Sequence, residues 1–153
     1  MRFRLLQFLC ITITVLALSH SAQAVEAPLG ISGAETINVF EAKQLYDRGA
    51  VFIDVRSDEE WNIGHIEGAV HLDFQRDFGK LYHAKAVHKD TPLVIYCNSA
   101  DCLRSAYACA VSVFWGFTEV YYFRSGYFAW MLADFPAVMA MTAELEPELV
   151  SSR

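Results

Sequence analysis

Short apolar runs alternate with amphipathic stretches through the middle of this 153-residue chain. In INVFEAKQLYDRGA, Asn38 followed by Glu41 has the spacing of a capping box and Gly49 is a stop, so a helix is expected over 39–48. VFIDV (51–55) is a short apolar strand, and DEEWNIG (58–64) reads as a short helix closed by Gly64. FQRDFGKLYHAKA (74–86) places Phe74, Phe78, Leu81 and Tyr82 on one side of an amphipathic helix that Gly79 weakens. PLVIY (92–96) has no polar alternation and is expected to be a strand buried on both faces. From Leu103 the period changes: Ala106, Cys109, Ala110, Val113 and Phe114 recur at helical spacing, and Gly116 closes the run. EVYYF (119–123) is another strand, RSG (124–126) a turn, and YFAWMLADF a last helix ended by Pro136.

Strands alternating with helices predict an α/β fold, with a central, mainly parallel sheet covered by helices on both faces. Ligands of such sheets bind beyond the carboxyl ends of the strands. The expected domain spans residues 36–136. Residues 25–35, with one proline and two glycines, read as a linker, and 137–153 as a loosely held tail.

The first 24 residues change the picture. Arg2 and Arg4 precede a mostly apolar stretch from Leu5 to Leu18, and Ala22-Gln23-Ala24 supplies a small-residue end. That order predicts a secretory signal peptide cleaved after Ala24, and so a periplasmic or secreted protein. The apolar core is short for a membrane span of ~20 residues, so no stable membrane anchor is expected. Net charge is −6 on the whole chain, and cleavage would remove two arginines and no acid. An acidic surface argues against nucleic acid as a partner. Cys10 would leave with the signal, and the odd number remaining, Cys97, Cys102 and Cys109, leaves at least one unpaired.

Of these three, Cys97 stands where the 92–96 strand meets a loop, just before the helix at Leu103. The first amides of a helix lack intrahelical partners and carry partial positive charge, and loop amides can add to that field. A thiolate held there is stabilised, as a persulfide anion would be. The residues alone leave a second reading open, in which Cys97 is a small buried residue at a strand end. Cys109 shares its helix side with Ala106, Ala110 and Val113 and is read as core.

Three stretches resemble one family. IDVRSDEEWNIGHIEGAVHL (53–72) resembles the amino-terminal signature of rhodanese-like domains, VIYCNSADCLRSA (94–106) their active-site loop, and FRSGYFAWMLADFP (123–136) their carboxyl-terminal signature, in the family's order. The resemblance covers roughly residues 36–136. It implies a compact α/β domain and sulfur transfer through a persulfide on the loop cysteine. Carried over residue by residue, it makes Cys97 the nucleophile. Asn98, Ser99, Ala100, Asp101, Cys102 and Arg104 become the substrate cradle, with Arg104-Ser105 as the pair that follows the loop. Asp54 and Arg56 match a bracing element. Glu60, Trp61, His65 and His71 match positions that packing and capping explain. Arg124, Ser125 and Gly126 match the rim opposite the loop. The family's common loop places four residues between cysteine and arginine; here six intervene, Ala100 replaces a usual glycine, and Asp101 adds a negative charge.

Six residues also fit poorly with a phosphatase loop, which needs five. Cys97 and Cys102 are too widely spaced for a zinc knuckle, and no second pair follows. The activity that the resemblance implies is a sulfurtransferase, for which no metal or organic cofactor is needed, and a monomer is expected. It would take sulfur from a small sulfur-containing anion such as thiosulfate and pass it to a thiol or other thiophilic acceptor. Two readings stand beside it: a thiol-disulfide redox protein using Cys97 and Cys102, and a non-turnover sulfur carrier or binding module. A curled loop would bring the Cα atoms of Cys97 and Cys102 within the ~4.4–6.8 Å that a disulfide requires, making Cys102 a possible redox partner.

Overall fold

The computed structural model describes residues 26–140. The expected signal peptide, Cys10 and most of the expected tail lie outside the described residues. Seven strands and five helices follow one another along the chain: β1 (Glu35–Thr36), α1 (Val39–Asp47), β2 (Val51–Asp54), α2 (Asp58–Ile63), β3 (Gly64–Ile66), β4 (Val70–His71), α3 (Lys80–His83), β5 (Leu93–Tyr96), α4 (Leu103–Phe114), β6 (Val120–Phe123), α5 (Gly126–Leu132) and β7 (Ala137–Met139). A five-stranded sheet runs in the order β1-β6-β5-β2-β4, with every neighbouring pair parallel. β3 and β7 form a separate antiparallel pair.

Strand pleating sends alternate residues to opposite faces. From β5, Leu93, Ile95 and Cys97 join a core with Ala106 and Cys109 of α4 and with Phe78, Leu81 and Tyr122. Val94 and Tyr96 join the other core, with Phe52, Phe123, Ala42 of α1 and Trp130 of α5. All four β5 residues are buried, as the unbroken apolar run predicts. Cys97 therefore continues the α4-facing phase of its strand one residue beyond the last sheet pairing, Tyr96 with Phe123.

The caps follow the sequence. The Asn38 side chain accepts from the Phe40 and Glu41 amides, and the Glu41 carboxylate accepts from the Asn38 amide at 2.7 Å. A second capping box starts α2, where Ser57 and Glu60 bond reciprocally.

Three expectations need correction. The helix expected over 74–86 is reduced to the four residues of α3. Ahead of it, the Asp73 carbonyl accepts from the amides of Arg76, Asp77 and Phe78, and its side chain accepts from the Gln75 amide. That local winding competes with a regular helix, and Gly79 adds backbone entropy to its cost. Phe78 still reaches the core.

The expected linker is not free. Ala27 is buried, Thr36 Oγ1 donates to the Leu29 carbonyl, and β1 completes the sheet edge against β6. The start of the expected tail is also held, because β7 pairs with β3 and the Ala140 amide donates to the Ile63 carbonyl at 3.0 Å. This pairing explains Gly64 as well. Gly64 closes α2 as expected, with an extended backbone, and a Cβ there would lie 2.9 Å from Met139 Sδ and 3.0 Å from the Val138 carbonyl oxygen.

Candidate active site

At the carboxyl end of β5 the chain leaves the sheet at Cys97, curls through Asn98–Asp101, and enters α4 with Cys102 as N-cap. The curl brings the cysteines together: Cys97 and Cys102 are joined as a disulfide, with Cα atoms 6.2 Å apart. Cys97 is 1% exposed, whereas Cys102 is half-buried. The Cys102 side chain makes no capping hydrogen bond, so the orphan amides opening this 12-residue helix receive nothing from their cap residue's side chain. Arg104 Nε approaches Cys102 Sγ at 3.3 Å.

Both ends of the loop are anchored from a neighbouring helix and by a local turn. The amides of Tyr127 and Phe128, at the amino end of α5, donate to the carbonyls of Cys97 (2.8 Å) and Asn98 (3.0 Å). Gly126 makes this approach possible. Its φ is +62°, and a Cβ would run into the Cys97 carbonyl oxygen and sit 2.9 Å from the Asn98 carbonyl. The Cys102 amide donates to the Ser99 carbonyl at 3.1 Å, and the Asp101 amide donates to Ser99 Oγ at 3.4 Å. The Ala100 carbonyl accepts from the Ala27 amide at 3.0 Å. Asp101 itself is exposed.

Beneath the loop lies a chain of charges. Arg56 and Asp54 are both buried. Arg56 Nε and Nη2 donate to the Asp54 carboxylate at 2.6–3.0 Å, Nη2 also donates to the Gly64 carbonyl at 2.7 Å, and Nη1 donates to Asn98 Oδ1 at 3.2 Å. Its guanidinium carbon lies 4.2 Å from the centre of the Tyr127 ring. Burial works against the Arg56 charge, but the Asp54 carboxylate outweighs it and holds the pKa above the ordinary arginine value.

Asn98 in turn donates through Nδ2 to Glu60 Oε1. Glu60 also pairs with Arg104, at 2.7 Å to Nη1 and 2.9 Å to Nη2. Burial raises the Glu60 carboxyl, but bonds from Arg104, the Ser57 amide and Asn98 prevail and hold it at about 2. The chain Asp54–Arg56–Asn98–Glu60–Arg104 thus runs from the sheet end to the first turn of α4.

This arrangement refines the sequence assignments. Asn98, Ser99, Ala100 and Asp101 form the curl between the two cysteines, Cys102 is bonded to Cys97, Arg104 stands in the first turn of α4, and Arg56, held by Asp54, bonds to the loop at Asn98. Arg104 is not a free cation, since Glu60 neutralises it. Glu60 acts beyond its cap: it ties Asn98 of the loop to Arg104 in the first turn of α4. Arg124 is engaged by the segment ahead of β1, whose Ala27 amide also donates to the loop at Ala100. Its Nε and Nη2 donate to the Ala27 carbonyl at 3.2 and 2.9 Å, and Nη2 pairs with Glu26. Trp61 packs, stacked with the rings of His65 and His71 at 3.5 and 4.8 Å between centroids. Cys109 is a buried thiol, and burial raises its pKa above the ordinary thiol value.

Residues 39–133 match the family described as Rhodanese-like domain. The chain belongs to that family. A thiosulfate sulfurtransferase GlpE from Ectopseudomonas mendocina is 32% identical to this rhodanese-like chain over 114 residues, which cover 74% of this chain and 99% of the relative. Among solved structures, the rhodanese-like domain of an Anabaena protein superposes with a TM-score of 0.61 at 18% identity, over 72% of this chain and 83% of that one. The polysulfide-sulfur transferase homodimer of Wolinella succinogenes gives 0.61 at 21% identity, over 75% and 85%. At these identities the two structures speak to the fold alone.

Proposed function

We propose that this chain is a sulfurtransferase that moves sulfane sulfur from a thiosulfate-like donor to a thiophilic acceptor through a persulfide on Cys97. The observation that carries the reading is the position of Cys97: it directly follows the central strand β5, is bonded to the N-cap residue of α4, and sits in the loop of a rhodanese-like domain. The relative that this chain nearly spans is itself named a thiosulfate sulfurtransferase.

The disulfide must first be reduced. Cys97 thiolate then attacks the outer sulfur of the donor. A sulfur–sulfur bond forms, the donor's own sulfur–sulfur bond breaks, and sulfite leaves with the electron pair. The orphan amides at the start of α4 stabilise the persulfide anion. Because Arg104 is already paired with Glu60, backbone amides rather than a free guanidinium provide most of the positive potential. A thiophilic acceptor then takes the terminal sulfur and restores Cys97. No metal or organic cofactor enters these steps.

We also place the protein outside the cytoplasm, on the strength of the basic, apolar, small-residue order of residues 1–24. Cyanolysis after thiosulfate treatment of reduced Cys102→Ser protein, which has no second loop thiol to discharge the persulfide, tests the activity. Repeated thiocyanate release supports a transferase, a single equivalent indicates a carrier, and none refutes both.

A further inference from the structure

We propose that Cys102 gives this site a second activity, the reduction of bound sulfane sulfur to sulfide. The inference rests on the Cys97 persulfide proposed above. Once that persulfide forms, the Cys102 sulfur attacks its inner sulfur, the Sγ of Cys97. The Cys97–Cys102 bond forms, the persulfide's sulfur–sulfur bond breaks, and the terminal sulfur departs as HS−, carrying the electron pair and the one proton that the Cys102 thiol and the persulfide share between them. Two thiol sulfurs are oxidised by one electron each, and the sulfane sulfur gains two. A dithiol reductant then reopens the disulfide. Over one cycle a sulfane donor and a dithiol become sulfide, the donor's leaving group and a disulfide.

Three features of the loop support this route. First, the product is a shape the fold already holds, since the structure shows the disulfide closed with a Cα separation of 6.2 Å, inside the usual ~4.4–6.8 Å. The Cys97 carbonyl is pinned by the Tyr127 amide, and the Cys102 amide is pinned to the Ser99 carbonyl.

Second, the attacking sulfur is prepared for attack. Arg104 Nε lies 3.3 Å from Cys102 Sγ, and Cys102 is the N-cap of a 12-residue helix. The Arg104 Nε–H donor and the helix amino end both favour the thiolate, even though Glu60 balances the guanidinium charge. Glu60 holds that guanidinium in place through two bonds to Arg104.

Third, the two sulfurs differ in access in the direction the cycle needs. Cys97 is 1% exposed, so a bulky external thiol reaches its inner sulfur poorly, while Cys102 attacks from within the loop. In the closed disulfide Cys102 is the less buried of the two residues. A reductant attacking there expels Cys97 as the thiolate, ready for the next donor. The intramolecular attack also competes well with dilute acceptors, because its partner is always present.

The test uses the reduced full chain, freed of reductant and kept without oxygen, with thiosulfate as the probe. Sulfite, sulfide and the state of the Cys97 peptide are measured together. Wild type should release sulfite and sulfide in equal amounts, stoichiometric with the chain, and end with Cys97 linked to Cys102. Cys102→Ser should release sulfite but no sulfide, and should hold a persulfide on Cys97 that cyanide removes as thiocyanate. Cys109→Ser should release sulfide as wild type does. If wild type keeps its persulfide as long as Cys102→Ser does, or both release sulfide at the same rate, the reductive step is refuted while the persulfide stands. If neither protein forms a persulfide or releases sulfite, the sulfurtransferase reading itself fails and this inference falls with it.

Discussion

Replacing Glu60 by glutamine removes one charge and little else. Gln is the other residue a capping box accepts, so the amide of Ser57, 2.8 Å from Glu60 Oε2, keeps an acceptor. What is lost is the charge-assisted pair with Arg104 and the bond from Asn98. The carboxyl is held at about 2 against an ordinary 4.5. Fully expressed, such a shift corresponds to ~3 kcal/mol of folding free energy. The Glu60 side chain is 29% exposed, and solvent screening at that exposure reduces the expected loss in Glu60→Gln to ~1 kcal/mol at pH 7. The sign follows from the direction of the shift. A carboxyl whose pKa is depressed on folding contributes stability that is present above 4.5 and lost as pH falls toward 2. The difference between wild type and Glu60→Gln should therefore be constant from pH 7 to about 5 and shrink steadily below it. Urea unfolding of both disulfide-closed proteins across pH 3–7 measures this. Equal stability at pH 7, or a difference that persists unchanged at pH 3, would refute the role given to Glu60.

Gly126→Ala forces a left-handed φ on a residue with a Cβ and drives that Cβ into loop backbone. It should cost roughly 2–3 kcal/mol in urea unfolding, of which ~1–2 kcal/mol is conformational. Cys97→Ser should abolish sulfite release from thiosulfate, while Cys109→Ser should retain it, because Cys109 is sealed in the core with a raised pKa; a stopped assay with sulfite detection separates them. Amino-terminal sequencing of the exported protein should begin at Val25, and a first residue of Met1 would overturn the signal-peptide reading.

The parts of the fold legible in the sequence are those with strong local signals. β2, β5 and β6 are continuous apolar runs because both their faces are covered, and α1 and α4 carry an Asn38–Glu41 box and a helical repeat around Cys109. β1, β3, β4 and β7 have two or three residues each, too few for any period to show. Their conformation is imposed by the strands they meet. The same holds within the site. Cys97 is legible because its place at a strand end before a helix is a local fact, and the nearness of Cys102 follows from a short loop. Glu60 reads as a cap because Ser57 is three residues away, whereas its other partners, Asn98 and Arg104, lie 38 and 44 residues along the chain. Nothing in the local pattern points across that distance. Arg124 shows the converse case: a rim residue by its motif, it is engaged by Glu26 and Ala27, 98 and 97 residues before it.

The most direct test of the account is the fate of sulfur on Cys97. Reduced Cys102→Ser protein, in which the resolving thiol is absent, is treated with thiosulfate, and its peptides are mapped by mass spectrometry without reductant. The account predicts a gain of one sulfur atom on the peptide carrying Cys97, matched by sulfite release and reversed by cyanide, with the Cys109 peptide unchanged. A Cys97 peptide that gains no sulfur, or a gain that persists when Cys97 is also replaced by serine, would contradict it.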